Sequence, residues 1–229
     1  MSPTVLIVGA NRGLGLQFAL QYLNKGFKVY GTYRMQSFSE AHELLGSGAT
    51  ALNLDLDVGV SIQGASEMFG DQPLDILINC ASEGNGNYNW LDIPPEELMR
   101  KFRVSAVGPF LTIKAFHHQL KMSKSPLVVN ISSALGSMQG NNTGGNLSYR
   151  TSKAALHMIT VDLARELAVD NISCVALSPG PGFVKTRMTG FTGTVEAPEA
   201  VAFMISIIDR LKPQDMGGFY NRDGQRIPW

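Results

Sequence analysis

Cysteine is scarce in this chain of 229 residues, with Cys80 and Cys174 its two examples. Both sit in apolar surroundings at no metal-ligand spacing, which argues against a disulfide scaffold or a zinc centre. They read as buried free thiols in a reducing compartment. An excess of charge of either sign is also missing. Nineteen Lys and Arg balance 19 Asp and Glu, for a formal net charge of zero. That removes the electrostatic basis for binding nucleic acid or an anionic membrane. No apolar run reaches the ~20 residues needed to cross a bilayer. The opening stretch, residues 4–8, runs straight into glycine instead of a signal-peptide cleavage region. The expectation is a cytoplasmic protein with neither nucleic acid nor membrane as a partner. No repeat, low-complexity tract or linker divides the chain, so one domain is expected over residues 1–229.

What is present is an alternation of apolar, β-rich runs with helical patterns. Strands are expected at 5–8, 28–32, 51–56, 74–78, 126–131, 172–177 and 217–220. Helices are expected near 39–45 and 61–69, at 96–122 and 147–169, and near 198–211, and one follows the first strand through Leu16, Ala19, Leu20 and Leu23. Strands apolar on both faces and separated by helices imply an α/β fold, a parallel sheet covered on both sides. Two Gly/Asn-rich stretches, 83–89 and 136–146, follow strand ends at the edge where ligands bind in such sheets.

Directly after the first strand comes a glycine loop, Gly9, Asn11, Arg12, Gly13, Leu14 and Gly15, that opens the first helix. Glycine permits a sharp turn and close approach of backbone to a phosphate, and the helix N-terminus behind it is electropositive. The spacing is Gly-x3-Gly-x-Gly, which also fits a tight structural turn; its place between strand and helix favours phosphate binding. Where an NAD enzyme places an acidic residue after the second strand, this chain has Arg34, and its first acidic residue is Glu40. Arginines at 12 and 34 suit a 2′-phosphate, which a carboxylate would repel, so the expected cofactor is NADP(H).

Tyr149 and Lys153 stand four apart on an expected helix and share a face. Spacing alone fits an amphipathic surface pair equally well. A lysine ammonium beside the phenol would lower its pKa and make it usable as an acid/base. Ser132 and Ser133, at the end of the strand at 126–131, offer a hydroxyl to hold a carbonyl oxygen, or a turn cap.

Taken in order, these elements resemble the short-chain dehydrogenase/reductase family over essentially the whole chain. The resemblance rests on the Gly9–Gly15 loop, Asp57-Val58, Asn79-Cys-Ala-Ser82, Ser133, the Tyr149-x3-Lys153 pair and the segment 181–186. Within the family, the run from Tyr149 to Leu156, the Gly-rich insert before it and the ending at 223–229 are similar to the sniffer/C-factor carbonyl reductases. The resemblance implies a Rossmann-type doubly wound parallel sheet with helices on both faces. It also implies Tyr149 as general acid/base, Lys153 on the nicotinamide ribose and Ser133 orienting the substrate oxygen. Asp57 would lie by the adenine, Asn79 along the cofactor, Val184 and Thr186 near the carboxamide, and Arg12 and Arg34 at the 2′-phosphate.

Three positions depart from the family pattern. Ser105 stands where the helix asparagine is usual, and Ser82 replaces a glycine. Two extra residues make Pro179-Gly180 and Pro181-Gly182 alternative partners for the nicotinamide. The expected function is hydride transfer between NADP(H) and a small-molecule carbonyl or alcohol substrate; the alternative is a regulatory NADPH-binding protein with little turnover. The segment 186–197 is expected to leave an open, mobile site lined by Phe183, Met188 and Phe191. His117 and His118 are read as solvated. A homodimer or homotetramer through the two long helices stays open.

Overall fold

The computed structural model describes residues 2–84 and 89–229. Residues 85–88, inside the first Gly/Asn-rich stretch, lie outside that description. The strands are β1 (Thr4–Val8), β2 (Lys28–Tyr33), β3 (Thr50–Asn53), β4 (Ile76–Asn79), β5 (Leu127–Ile131), β6 (Ser173–Ser178), β7 (Val184–Lys185), β8 (Val195–Glu196) and β9 (Phe219–Asn221). Seven of them form a sheet in the order β3-β2-β1-β4-β5-β6-β9, and every pairing is parallel. The order reverses next to β1, so the chain winds outward in both directions from there and leaves a crevice beyond the strand ends. This is the doubly wound, Rossmann-type arrangement expected.

Strand alternation explains the two core layers. In β1, Val5 and Ile7 enter one cluster while Leu6 and Val8 enter the other, because successive side chains leave opposite faces. The first layer is closed by α1 (Gly13–Asn24) and α8 (Ala197–Ile208), through Phe18, Tyr22, Val201 and Met204. The second takes Ile62 and Phe69 from α3 (Gly59–Phe69), Ile113 from α5 (Gly108–Ala115) and Leu163 from α7 (Leu147–Glu166). The small helix α2 (His42–Gly46) follows a 3-10 turn at Met35–Glu40, in place of the single helix expected there.

The expected long helix at 96–122 is a correction. It is built from α4 (Pro95–Phe102), a π turn at Arg103–Val107, α5 and the short α6 (His117–Lys121). Its apolar pattern continues through the π turn, and Phe116 between α5 and α6 is fully buried, so periodicity alone hides both breaks.

At the edge away from the crevice, helix-to-strand turns close on Gly26, Gly48 and Gly70, each with φ between 78° and 94°, and on Asn171 at φ 58°. Added side-chain atoms at the three glycines would meet nothing within 4 Å. These residues serve as left-handed stops for the helices before them.

Candidate active site

The C-terminal ends of β1 to β4 and the segment after β7 enclose a cleft of ≈ 1160 Å³. Gly9, Asn11, Arg12, Gly13, Leu14 and Gly15 all line it, which places the N-terminus of α1 there. Two glycines are demanded sterically. Gly9 holds φ 82°, and a Cβ on it would lie 2.7 Å from that of Ala81; a Cβ on Gly15 would lie 2.0 Å from the Gly9 carbonyl oxygen. The first turn of α1 therefore sits directly on the exit of β1.

Arg34, Asp57 and Thr186 also line the cleft. Asn79 and Val184 do not present their side chains to it. Asn79 is buried and donates from Nδ2 to Asn130 Oδ1 at 2.8 Å, while its own Oδ1 has no partner. Asn130 continues to Thr160 Oγ1 at 2.9 Å. Val184 packs with Val195 and Ala200 under the covering segment.

The expected reactive residues come together at the adjoining ends of β5 and α7. Ser133 caps the 3-10 turn Ala134–Gly136, accepting from Leu135 N at 3.2 Å, and its hydroxyl faces the Tyr149 phenol. Lys153 is buried, donates from Nζ to the Ile131 carbonyl at 3.0 Å, and lies 5.7 Å from the Tyr149 ring centroid. Burial pushes the Tyr149 phenol up to about 12, with the neighbouring Ser133 hydroxyl opposing. Burial takes Lys153 down to about 8, with Cys80 opposing. Desolvation is the largest cause of both shifts.

His157, one turn beyond Lys153, was not singled out by sequence. Its Nε2 meets Ser132 Oγ at 2.6 Å, and its ring packs on Phe219 and Trp229 at centroid distances of 4.2 and 5.0 Å. Burial, aided by the Lys153 charge, lowers it to about 4, so the imidazole is neutral. The i, i+4 spacing from Lys153 was the available signal. Ser132 thus serves this contact, and Ser133 faces Tyr149.

The two serine departures meet each other. Ser82 Oγ and Ser105 Oγ are 3.2 Å apart, with Ser105 fully buried in the π turn. Nearby, Lys101 and Glu97 are both buried and paired at 3.1 Å. Lys101 also donates to the Gly84 carbonyl, and Arg100 joins Glu97, at 2.7 Å, to Glu83. This network ties the segment after β4 to α4. Gly84 in turn approaches Met188, whose Cγ a Cβ on Gly84 would meet at 2.8 Å.

The covering segment is more built than an open loop. Strands β7 and β8 pair, and Thr186 and Thr189 form a capping box around the turn Arg187–Thr189. Met188 and Phe191 line the cleft; Phe183 is exposed outside it. Arg187 pairs with Glu40 Oε1 at 2.8 Å, and Glu40 Oε2 pairs with Arg12. A second cavity of ≈ 650 Å³ lies between Trp90, the 136–146 insert and the start of α7. Arg150 pins that insert through the carbonyls of Leu135, Gly144 and Gly145. His117 and His118 are not simply solvated: they reach Asp170 and Asp71, each at 2.7 Å. No helix among the described residues is long and apolar enough to cross a membrane.

Comparison with known proteins gives a consistent picture. The model of the short chain dehydrogenase family matches residues 3–196. The NADPH-bound carbonyl reductase from chicken fatty liver has a TM-score of 0.93 and 31% identity, covering 100% of this chain and 99% of its own. The carbonyl reductase Sniffer of D. melanogaster has a TM-score of 0.91 and 30% identity over 100% of both chains. The C-signal protein of Myxococcus xanthus is 33% identical over 157 residues, covering 69% of this chain and 93% of that protein.

Proposed function

The chain belongs to the short-chain dehydrogenase family, and from that premise we propose that it is an NADP(H)-dependent oxidoreductase acting on a small carbonyl or alcohol substrate, with residues 1–229 as one dinucleotide-binding domain. The observation that carries this reading is the meeting of Ser133, Tyr149 and Lys153 at the ends of β5 and α7, where Lys153 neighbours Cys80 in the wall of the glycine-lined cleft. The cleft fits the cofactor. Gly9 and Gly15 leave no room for side chains where backbone must approach a diphosphate, and Arg12 and Arg34 supply the cations a 2′-phosphate requires. NADPH-bound and Sniffer-type carbonyl reductases share the fold over the full chain.

When bound, NADP(H) supplies the hydride chemistry. The chain's own residues do the rest. The α1 N-terminus with Gly9, Asn11, Gly13, Leu14 and Gly15 holds the phosphates, Asp57 takes the adenine side, and Thr186 takes the carboxamide side. Asn79 and Val184 act from behind, through the backbone and the wall they support. Ser133 fixes the substrate oxygen, and Tyr149 gives or takes its proton. The Lys153 ammonium keeps two N–H groups beyond the one on Ile131, and it stabilises the phenolate and takes the nicotinamide ribose. The Ser82–Ser105 pair and the likeness to the C-signal protein favour a second reading, a regulatory NADPH-binding protein with little turnover.

The test is NADPH oxidation against a panel of aldehydes, ketones and quinones, with Tyr149→Phe as control. Turnover that is lost in the variant while NADPH binding persists supports the enzyme. Binding without turnover on every substrate supports the regulatory reading, and turnover unaffected by Tyr149→Phe refutes the mechanism.

A further inference from the structure

Glu40 and Arg187 lie 147 positions apart in sequence yet meet across the cleft. One carboxylate there is shared by two guanidiniums, with Oε1 on Arg187 and Oε2 on Arg12. Both arginines are therefore spaced to grip opposite sides of a single oxyanion. Arg187 belongs to the capped turn that follows Thr186, whereas Arg12 belongs to the glycine loop. The oxyanion site is thus closed from both walls. All three side chains are substantially exposed, so the carboxylate is free to swing out.

We propose that Arg187 is a further cofactor-binding residue, closing on the 2′-phosphate opposite Arg12, and that Glu40 is an internal anion that occupies the phosphate's place and must be displaced by it. Arginine forks suit phosphate oxygens as they suit carboxylates. A dianionic phosphate brings more charge and a third oxygen, which Arg34 on the same cleft can meet. Glu40 thereby sets selectivity: a cofactor without the 2′-phosphate leaves the carboxylate on its arginines and gains nothing from Arg187.

The inference rests on the NADP(H) reading, and the two are separated by using cofactor fragments as probes. Calorimetric titration with 2′,5′-ADP and with 5′-ADP is carried out on the intact protein, Arg187→Ala and Glu40→Gln, with thermal melts confirming folding. The wild type is expected to prefer 2′,5′-ADP; equal binding of both fragments would refute the NADP(H) reading itself. Given that preference, Arg187→Ala should weaken 2′,5′-ADP about tenfold, the size of one lost charge-assisted contact, with 5′-ADP changed less than about twofold on the same scale. Glu40→Gln should tighten 2′,5′-ADP several-fold and leave 5′-ADP unchanged. An Arg187→Ala variant that binds 2′,5′-ADP as the wild type does, or loses both fragments equally, overturns the assignment of Arg187. A Glu40→Gln variant with unchanged or weaker 2′,5′-ADP binding overturns the role of Glu40.

Discussion

Replacing Lys153 with methionine should make the protein's stability respond differently to pH, by an amount the structure sets. The Lys153 amine is buried, and burial lowers its pKa from 10.5 to about 8. The unfolded chain therefore binds a proton more tightly than the folded one, so the folded state carries a penalty below pH 8. That penalty fades as pH rises from 8 to 10.5 and is gone above it. Each pKa unit is worth ~1.4 kcal/mol, so the full penalty is about 3 kcal/mol. Methionine fills similar volume without the charge. It also strands the Ile131 carbonyl, a pH-independent loss of ~1–3 kcal/mol. The absolute difference between the proteins at pH 7 is thus a small residue of two opposing effects, and the informative quantity is its slope. Urea unfolding of both proteins at intervals from pH 7 to pH 10.5 should show the variant's relative stability falling by about 3 kcal/mol across the range. A difference that stays flat, or rises, would refute the claim that desolvation governs this lysine.

Three further outcomes follow from other parts of the site. Gly15→Ala forces a Cβ to within 2.0 Å of the Gly9 carbonyl oxygen, which neither backbone can relieve; NADPH binding, followed by fluorescence, should fall at least tenfold by ~1.4 kcal/mol or more, and the melting temperature should drop. Ser82→Gly leaves the buried Ser105 hydroxyl unpaired and should cost ~1–3 kcal/mol, most of it recovered when Ser105→Ala is added, as a double-mutant cycle by chemical denaturation will show. His157 binds a proton near 6.5 when unfolded but only at about 4 when folded, so the wild type should lose up to about 3 kcal/mol as pH falls through that window. His157→Gln should flatten that stretch of its acid-unfolding profile.

The strands were legible because each is apolar on both faces and bounded by turn residues, and their parallel order followed from the helices between them. That Tyr149, Lys153 and Ser133 would come together was legible for a different reason: strand ends and helix starts share one edge of a parallel sheet. What escaped was produced by folding itself. Glu97 and Lys101 look like an exposed i, i+4 pair, yet both are buried, and Lys101 also meets the Gly84 carbonyl. The breaks at 103–107 and Phe116 were masked because burial demanded apolar residues through both. The meeting of Glu40 with Arg187 carries no local mark at all, since separate crossovers deliver its two halves to one cleft. Asn79 was singled out by pattern, but its side chain turns to Asn130.

The turns at Gly26, Gly48, Gly70 and Asn171 divide the molecule's periphery into two rims with different freedoms. One rim is crowded with contacts from five chain segments and tolerates little rewriting. The other consists of stops whose surroundings are empty, so inserted sequence there extends into solvent without touching the cleft. A dye, affinity handle or fused module grafted at Gly48 or Gly70 would report on this protein from its far side. The same separation lets one rim diversify freely while the chemistry on the other is held constant.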